Sequence, residues 1–262
     1  MEQKGCSSCV KEPVGQINMA RFIKKLDECF LTDDLSSAVE CVEYWAREAE
    51  VLGDKRGLLS VVNEQLGLYR RTNDKDKGIK AVENAIRLVE ETEQGELVSG
   101  ATIFVNAATT LKAFGKATDG LSLYEKAKSI YERKGLKKSF EYAALLNNYG
   151  SALSEIGRFD EAENLMKKAI GILKEDGSHD GEIAVSLINL AHLYYDRDDT
   201  SQKEVEKLLD EAWEYINSPR QPHDANYAFI LSKCAPSLRY FHRFDEAEAI
   251  LSVANEIYGK RQ

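Results

Sequence analysis

Several features that mark other classes of protein are missing from this sequence of 262 residues. No apolar run approaches the 18 or more residues of a membrane-spanning helix, so we expect no membrane partner. Basic residues form no sustained run, and 44 acidic residues outnumber 35 basic ones to give a net charge of −9. This balance disfavours nucleic acid as a partner, because binding to the phosphate backbone needs a lysine- and arginine-rich face. The first 15 residues lack the apolar core of a secretory signal, and we expect a cytoplasmic protein.

Motifs of catalysis are missing as well. The sequence contains no GxSxG, no glycine-rich phosphate loop and no HExxH. One histidine and one aspartate, His192 and Asp196, are spaced so that they could polarise a proton. No nucleophile or metal-binding partner accompanies them, so we predict a protein that is not an enzyme and that uses no cofactor or metal.

Cysteine is scarce, and its five positions form no disulfide framework. Cys6 and Cys9 have CxxC spacing but lack a second pair and a βαβ context, which leaves a zinc or redox role as the less favoured alternative. Cys29, Cys41 and Cys234 fall on faces of predicted helices, as free cysteines packed as small apolar residues do. This usage favours a reducing compartment.

The sequence does contain the pattern of a helical hairpin, in residues 145–173. Leu146, Tyr149 and Leu153 recur at helical spacing, which predicts a helix. Gly157 follows where the chain leaves this helix, and glycine readily adopts the left-handed backbone conformation that is common at helix C-termini. Acidic residues and a second apolar stripe follow, which predicts a second helix.

This hairpin recurs about every 42 residues. Gly115 and Gly157 are one period apart, with Asn73 and His242 in the equivalent turn position of other hairpins. Asp180 and Asp224 each precede an apolar periodic run, and we predict that they cap helix N-termini. The period is also visible in one column of alanines in the second helix: Ala85, Ala127, Ala169, Ala212 and Ala254.

The period divides the chain into a flexible N-terminal lead at residues 1–15 and a single solenoid at residues 16–262. Within the solenoid we predict a degenerate capping hairpin and five repeats, each consisting of helix A and then helix B. Their ranges are 16–50 for the capping hairpin and about 54–92, 96–134, 138–176, 180–218 and 222–260 for the repeats. No stretch of alternating polarity suggests a strand, so the predicted fold class is all-α.

Two turn sequences connect the repeats to a known family. GRFDEA at 157–162 and HRFDEA at 242–247 resemble the tetratricopeptide repeat (TPR). The long period and the LNN at 146–148 are most similar to kinesin-light-chain-type repeats. The resemblance implies a right-handed α-solenoid of stacked antiparallel helix hairpins, with the A helices lining the concave side. It implies a protein or peptide as partner without naming one.

A column of asparagines indicates what lines that concave side. Asn106, Asn148 and Asn189 occupy one position of successive A helices, Asn147 neighbours the column, and Asn63 lies in the neighbouring column one repeat earlier. Asparagine is a poor residue for the middle of a helix, whereas its amide suits the main chain of an extended peptide. Similar ladders hold peptide main chains in kinesin-light-chain-like repeats. In the alternative interpretation, the asparagines bridge neighbouring repeats or are simply solvated.

Charged residues flank this column. Arg70 and Lys112 fall late in the first two A helices, and Glu155 and Asp196 take corresponding places in the third and fourth. This pattern predicts a ligand with its acidic end toward the early repeats and its basic end toward the later ones.

Aromatic surface is added by His192, Tyr195 and Phe229, and we include His192 and Tyr195 among the candidate groove residues. A clamp for two carboxylates, as in chaperone-binding relatives, is not expected. Only Lys24 and Lys233 occupy its lysine position, and they lie at opposite ends of the stack.

The predicted function is therefore a non-catalytic adaptor that holds an extended peptide segment in its concave groove. The alternative is a peptide-responsive sensor that acts through a partner effector. Residues 1–50 contain no basic recognition helix, which weighs against an effector within this sequence.

Overall fold

The computed structural model describes residues 15–197 and 202–259. Within these ranges the chain forms twelve α-helices and no β-strand, which confirms the all-α prediction. In chain order the helices are α1 (Met19–Leu31), α2 (Leu35–Leu52), α3 (Lys55–Arg71), α4 (Lys75–Glu91), α5 (Val98–Ala113), α6 (Ala117–Arg133), α7 (Phe140–Glu155), α8 (Phe159–Asp176), α9 (Asp180–Asp196), α10 (Gln202–Ile216), α11 (Ala225–Tyr240) and α12 (Phe244–Ile257).

The helices pack as six consecutive hairpins, from α1 with α2 to α11 with α12. From α3 onward, each odd-numbered helix also packs against the next odd-numbered one, so that α3, α5, α7, α9 and α11 form a continuous inner layer. We call the odd-numbered helices the inner helices and the even-numbered ones the outer helices. This arrangement is the stacked hairpin solenoid that the sequence predicts.

Inner and outer helices differ in how much of their surface is buried. The inner helix α7 buries residues around most of its circumference, because it packs against its own hairpin partner and against both neighbouring hairpins. The outer helix α8 buries a single stripe at helical spacing: Ala162, Met166, Ala169, Ile170 and Leu173. The sequence therefore specifies which helix of each hairpin lies inside the stack.

The hairpin turns place one residue in the left-handed region. Gly115 and Gly157 have φ of 74° and 79°, and Asn73 and His242 take the same conformation with φ of 54° and 61°. The sequence interpretation of Asn73 and His242 as substitutes for the turn glycine is confirmed, and Asp33 at φ 51° does the same in the first hairpin. The turn of the fifth hairpin includes residues 198–201, which lie outside the described ranges.

Close helix contact in the fourth hairpin depends on a glycine. A Cβ atom built on Gly150 of α7 would lie 2.8 Å from Cγ of Met166 and 3.0 Å from the carbonyl oxygen of Ala162, both in α8. These distances are shorter than ordinary van der Waals contact, so the absence of a side chain sets the separation of the two helix axes.

One predicted helix cap is wrong. Asp224 caps α11 by accepting a 2.9 Å hydrogen bond from the backbone N–H of Tyr227. Asp180, in contrast, is the first residue of α9 and makes no such cap. Its buried carboxylate instead accepts two hydrogen bonds, of 2.6 and 3.0 Å, from the guanidinium of Arg220. The local sequence predicts that the carboxylate of Asp180 caps the helix, but this carboxylate instead pairs with Arg220, which is 40 residues away in the sequence.

The cysteines that the structure describes are free. Cys234 is buried, and burial raises the pKa of its thiol to about 12, while Cys29 and Cys41 are partly buried and their pKa values are also raised by burial. Protonated thiols of this kind pack as small apolar groups. Residues 1–14, with Cys6, Cys9 and most of the predicted flexible lead, lie outside the described ranges. Among the helices of the described ranges, none is both long enough and apolar enough to cross a lipid bilayer.

Candidate functional site

The inner helices surround a central cavity of about 860 Å³, to which all six of them contribute residues. Six of the nine site residues predicted from the sequence line it: Arg70, Asn106, Lys112, Asn147, Asn148 and Asn189. Asn63, His192 and Tyr195 do not. The concave surface expected from the family resemblance is therefore a defined cavity.

The two ends of the helix stack meet across this cavity. The guanidinium carbon of Arg71, in α3, lies 5.2 Å from the ring centroid of Phe30 in α1 and 4.9 Å from that of Phe229 in α11. The same guanidinium donates a 2.6 Å hydrogen bond to Asp33. Tyr258, directly after α12, also lines the cavity. Burial raises the pKa of Tyr258, the charge of Asp33 raises it further, and the charge of Arg71 opposes this rise. We call this set of contacts the seam.

The asparagines of the predicted ladder do not all have the same role. The side-chain amide of Asn106 donates a 2.8 Å hydrogen bond to Oδ1 of Asn63, one repeat earlier. Likewise, the amide of Asn189 donates to Oδ1 of Asn147 at 3.3 Å. Asn148 makes no side-chain hydrogen bond within the described part of the chain. Two of the three ladder positions thus join neighbouring repeats, as the alternative interpretation had it, and Asn148 leaves its amide open to the cavity.

A small side pocket opens beside Asn148. It has a volume of about 140 Å³ and lies between α7, α9 and α11, with Phe140, Val185 and Ile230 among its apolar wall residues. Asn148 and Asn226 belong both to this pocket and to the central cavity. Its wall is mixed, because Glu182, Ser186 and Lys233 also line it. Polar atoms of this kind can fix the orientation of a ligand whose apolar part packs on the apolar wall residues.

Three basic side chains converge on the cavity from different helices. Arg70 comes from α3, Lys112 from α5 and Lys233 from α11. Burial lowers the pKa of each, and the positive charge of Arg70 lowers the pKa of both lysines further. We call these three residues the cation cluster.

The members of the cation cluster differ in their hydrogen bonds. Arg70 donates to the carbonyl oxygen of Asn106 at 3.1 Å, and Lys112 donates to Oγ of Ser151 at 2.9 Å. Lys233 donates no hydrogen bond to any described residue, and its ammonium group lies 5.8 Å from the ring centroid of Phe229. Its side chain is open to the solvent of the cavity but is surrounded by protein on the other sides.

The sequence did not place Lys233 in the site. The sequence places Lys24 and Lys233 at opposite ends of a linear stack, whereas the curvature of the stack brings Lys233 onto the cavity wall with residues of α1 and α3. Lys24, at the same helix position in α1, lies in a different surface depression with Ile23 and Leu31. To predict the position of Lys233, one needs to know how many repeats the stack has and how strongly it curves from one repeat to the next.

The acidic part of the cavity wall is also not where the sequence predicted it. Asp27 of α1 and Glu64 of α3 line the cavity, whereas Glu155 and Asp196 do not. Burial raises the pKa of Glu64, and the nearby charge of Asp27 raises it further. The cavity is therefore basic where α3, α5 and α11 converge and acidic between α1 and α3, and the predicted gradient along the repeats is wrong.

His192 and Tyr195 belong to a separate aromatic surface between α9 and α11. The ring of His192 lies 4.7 Å from that of Phe241, its Nε2 is 3.0 Å from Oγ of Ser237, and burial lowers its pKa. Tyr195 is 56% exposed and contacts the ring of Tyr240 edge-on. These residues stabilise the contact between the last inner helices rather than lining the cavity.

Sequence comparison assigns the repeats to a family. Residues 99–175 and 141–202 match the family described as tetratricopeptide repeat. Together with the helical hairpins found there, this match identifies residues 99–202 as tetratricopeptide repeats. No curated protein matches the chain in sequence.

Solved structures share the fold at low sequence identity. A kinesin-light-chain protein of Podospora anserina with nearly identical TPR-like repeats is 17% identical, covers 78% of this chain and 96% of its own, and has a TM-score of 0.53. A Rap protein in complex with competence and sporulation factor is 16% identical over 92% of this chain and 75% of its own, with a TM-score of 0.54. The apo form of RapI is 14% identical over 93% and 98%, with a TM-score of 0.56. At these identities the similarity establishes the fold.

Proposed function

We propose that the protein is a non-catalytic adaptor that holds an extended peptide segment in its central cavity. The observation that carries the proposal is the position of Asn148, whose amide has no partner among the described residues and which lines both the cavity and the side pocket. The Rap protein in complex with competence and sporulation factor supports the proposal by its fold.

The chemistry of a peptide main chain matches that of this wall. An amide side chain offers two donors and one acceptor, and a peptide group offers one of each. Asn148 on α7 and Asn226 on α11 both lie at the mouth of the side pocket, and neither makes a side-chain hydrogen bond within the described ranges. A ligand main chain passing between them would place one of its side chains in the pocket. The paired asparagines Asn106–Asn63 and Asn189–Asn147 hold adjacent repeats in register for this contact.

The seam favours a second candidate function, that of a peptide-responsive sensor acting through a partner. Few side chains close the ring of helices, chiefly Arg71 against Phe30 and Phe229. A ligand that changes the spacing of the inner helices would act on the seam directly, because Phe30, Arg71 and Phe229 themselves line the cavity. The resulting change in helix positions would be the signal read by an effector.

Peptide selection tests the proposal. We would select binders from a random heptapeptide library and measure the affinity of a recovered peptide by fluorescence anisotropy. Asn148→Ala should weaken binding about fivefold to a hundredfold, because each buried partner left unpaired costs ~1–3 kcal/mol. Asn164→Ala is the matched control, since Asn164 is exposed on the outer helix of the same hairpin. Equal affinities for the two variants would contradict the proposed groove.

A further inference from the structure

We propose that a second copy of this chain packs on helix α1, so that two rings associate head to head about a two-fold axis. The contact surface is the exposed side of α1 formed by Ala20, Ile23, Lys24, Asp27 and Leu31, which we call the α1 stripe. The proposal goes beyond the peptide function and does not rest on it.

Helix α1 differs from the other inner helices in how little of it is covered. Its only buried residues are Phe22 and Leu26, whereas the next inner helix, α3, has residues buried along most of its length, from Gly57 to Tyr69. Nor does α1 pack along α3 in the way that the later inner helices pack along one another. One side of α1 is therefore left without a packing partner among the described residues.

The α1 stripe exposes apolar side chains at helical spacing. Ile23 and Leu31 are both exposed, and Leu31 is 59% exposed although it lies in a regular helix. Together with Met19 and Ala20 they line a shallow depression that runs along α1. Apolar side chains arranged in this way on one side of a helix are buried together when a second helix packs on them.

The position of Lys24 shows why this side of α1 is open. Lys24 precedes Asp33, the left-handed turn residue of its hairpin, by as many residues as Asn106 precedes Gly115. From that position Asn106 contacts Asn63 on the preceding inner helix. No inner helix precedes α1 in the described ranges, so the side of the helix that elsewhere continues the stack is uncovered.

The charges of the α1 stripe favour a second copy as the occupant. Lys24 and Asp27 are exposed and form no ion pair within the described part of the chain. When two α1 helices pack antiparallel about a two-fold axis between these residues, Lys24 of each copy faces Asp27 of the other. In the same register Leu31 of each copy lies opposite Ala20, whose small side chain leaves room for it. A surface that complements itself in this way is what a two-fold interface requires.

Sedimentation velocity of the full chain at increasing concentration tests the proposal. We expect wild type to dimerise reversibly with a dissociation constant on the order of micromolar, because one pair of helices makes a small interface. Leu31→Glu should raise this constant at least about a hundredfold, since the two-fold axis removes the apolar contact twice. Its melting temperature should stay close to that of wild type, because Leu31 is already 59% exposed within one copy.

Val51→Glu is the matched control for the apolar contact. Val51 is 84% exposed on α2 of the same hairpin and lies outside the α1 stripe. This variant adds the same charge to the same hairpin, and it should dimerise as wild type does.

Charge reversal tests the register of the two helices. Lys24→Asp alone brings only acidic side chains together at the two-fold axis and Asp27→Lys alone brings only basic ones, so each should weaken the dimer by about tenfold or more. An equal mixture of the two variants restores both contacts between opposite charges and should form a mixed dimer. Native mass spectrometry detects this dimer when one of the chains is labelled with heavy nitrogen. A loss of stability in either variant would not be repaired by mixing.

The proposal is overturned if wild type remains a monomer at every concentration. If the chain then dimerises once residues 1–12 are deleted, the N-terminal segment and not a second copy occupies the α1 stripe. Equally tight dimers of wild type and Leu31→Glu, or no mixed dimer from the two charge variants, would place the interface elsewhere. Assembly that grows beyond the dimer would indicate a head-to-tail contact, which continues without closing.

Discussion

The guanidinium of Arg71 packs on the ring of Phe229, with 4.9 Å between the guanidinium carbon and the ring centroid, although α3 and α11 belong to the second and the sixth hairpins. The curvature of the stack brings these two helices together, and the contact closes the ring around the cavity. The same curvature places Lys233 on the cavity wall with Arg70 and Lys112.

Removal of the seam arginine should loosen the ring. Arg71→Met removes two cation–π contacts and the ion pair with Asp33, and we expect a loss of ~1–2 kcal/mol of stability. Small-angle X-ray scattering should show a larger radius of gyration. Arg87→Met is the control, because Arg87 pairs with Glu91 on the surface of α4. A radius that stays at the wild-type value would show that the seam does not hold the ends together.

Overfilling the closest helix contact should destabilise the whole stack. Gly150→Leu forces atoms into the space held by Met166 and the carbonyl of Ala162, which costs ~1–3 kcal/mol or more. Gly171→Ala is the matched control, since a Cβ there meets nothing within 4 Å and alanine favours the helix by ~0.5–1 kcal/mol. Urea denaturation should thus move in opposite directions for the two variants. A Gly150→Leu protein as stable as wild type would mean that α7 and α8 are not packed at this register.

Substitutions at different asparagines should affect different properties, since Asn106 contributes to stability and Asn148 to binding. Asn106→Ala breaks the 2.8 Å bond to Asn63 and should cost ~0.5–1.5 kcal/mol of stability. Asn148→Ala breaks no bond within the described ranges and should be neutral or slightly stabilising, because alanine is the better helix former. A double-mutant cycle of Asn63 and Asn106 would measure the coupling. Additive effects in that cycle would refute the bridge between repeats.

The partly buried carboxyl of Glu64 gives a pH-dependent prediction. Burial raises its pKa in the folded state, so the folded protein binds a proton more tightly than the unfolded chain does. This contribution is fully present below the unfolded pKa of about 4.3 and is lost as the pH rises through the raised folded pKa. Glu64→Gln should therefore be more stable than wild type at pH 7, and the difference should shrink as the pH falls toward 4. Exposed Glu83 on α4 provides the control Glu83→Gln, for which thermal melting should show no such trend.

The fold was predictable because its signals are local and repeated. Apolar spacing identifies the helices, and a left-handed residue such as Asn73 or His242 identifies the turns, whatever the rest of the chain does. The resemblance to the tetratricopeptide repeat then implied which helix of each hairpin lies inside. The predicted cap at Asp180 is wrong because its carboxylate pairs with Arg220, and a partner so distant in sequence leaves no local signal.

For the site, the sequence predicted which residues belong to the inner surface but not the contacts that they make there. Alignment of the repeats places Asn106, Asn148 and Asn189 in one column, and the family resemblance places that column on the inner surface. Neither shows that the amides of Asn106 and Asn189 are bonded to asparagines of neighbouring repeats. Lys233 required knowledge of how far the stack curves. That curvature is the sum of small rotations between hairpins, each set by side-chain packing, and no single residue records it.

The central claim is that the ligand lies inside the ring, and hydrogen exchange read by mass spectrometry tests it most directly. A peptide recovered by selection is added at saturating concentration, and amide exchange is followed in every helix. The account predicts slower exchange in the inner helices α3, α5, α7, α9 and α11, strongest near Asn148, with the outer helices unchanged. Protection confined to the outer helices, or to the aromatic surface around His192 and Tyr240, would contradict it.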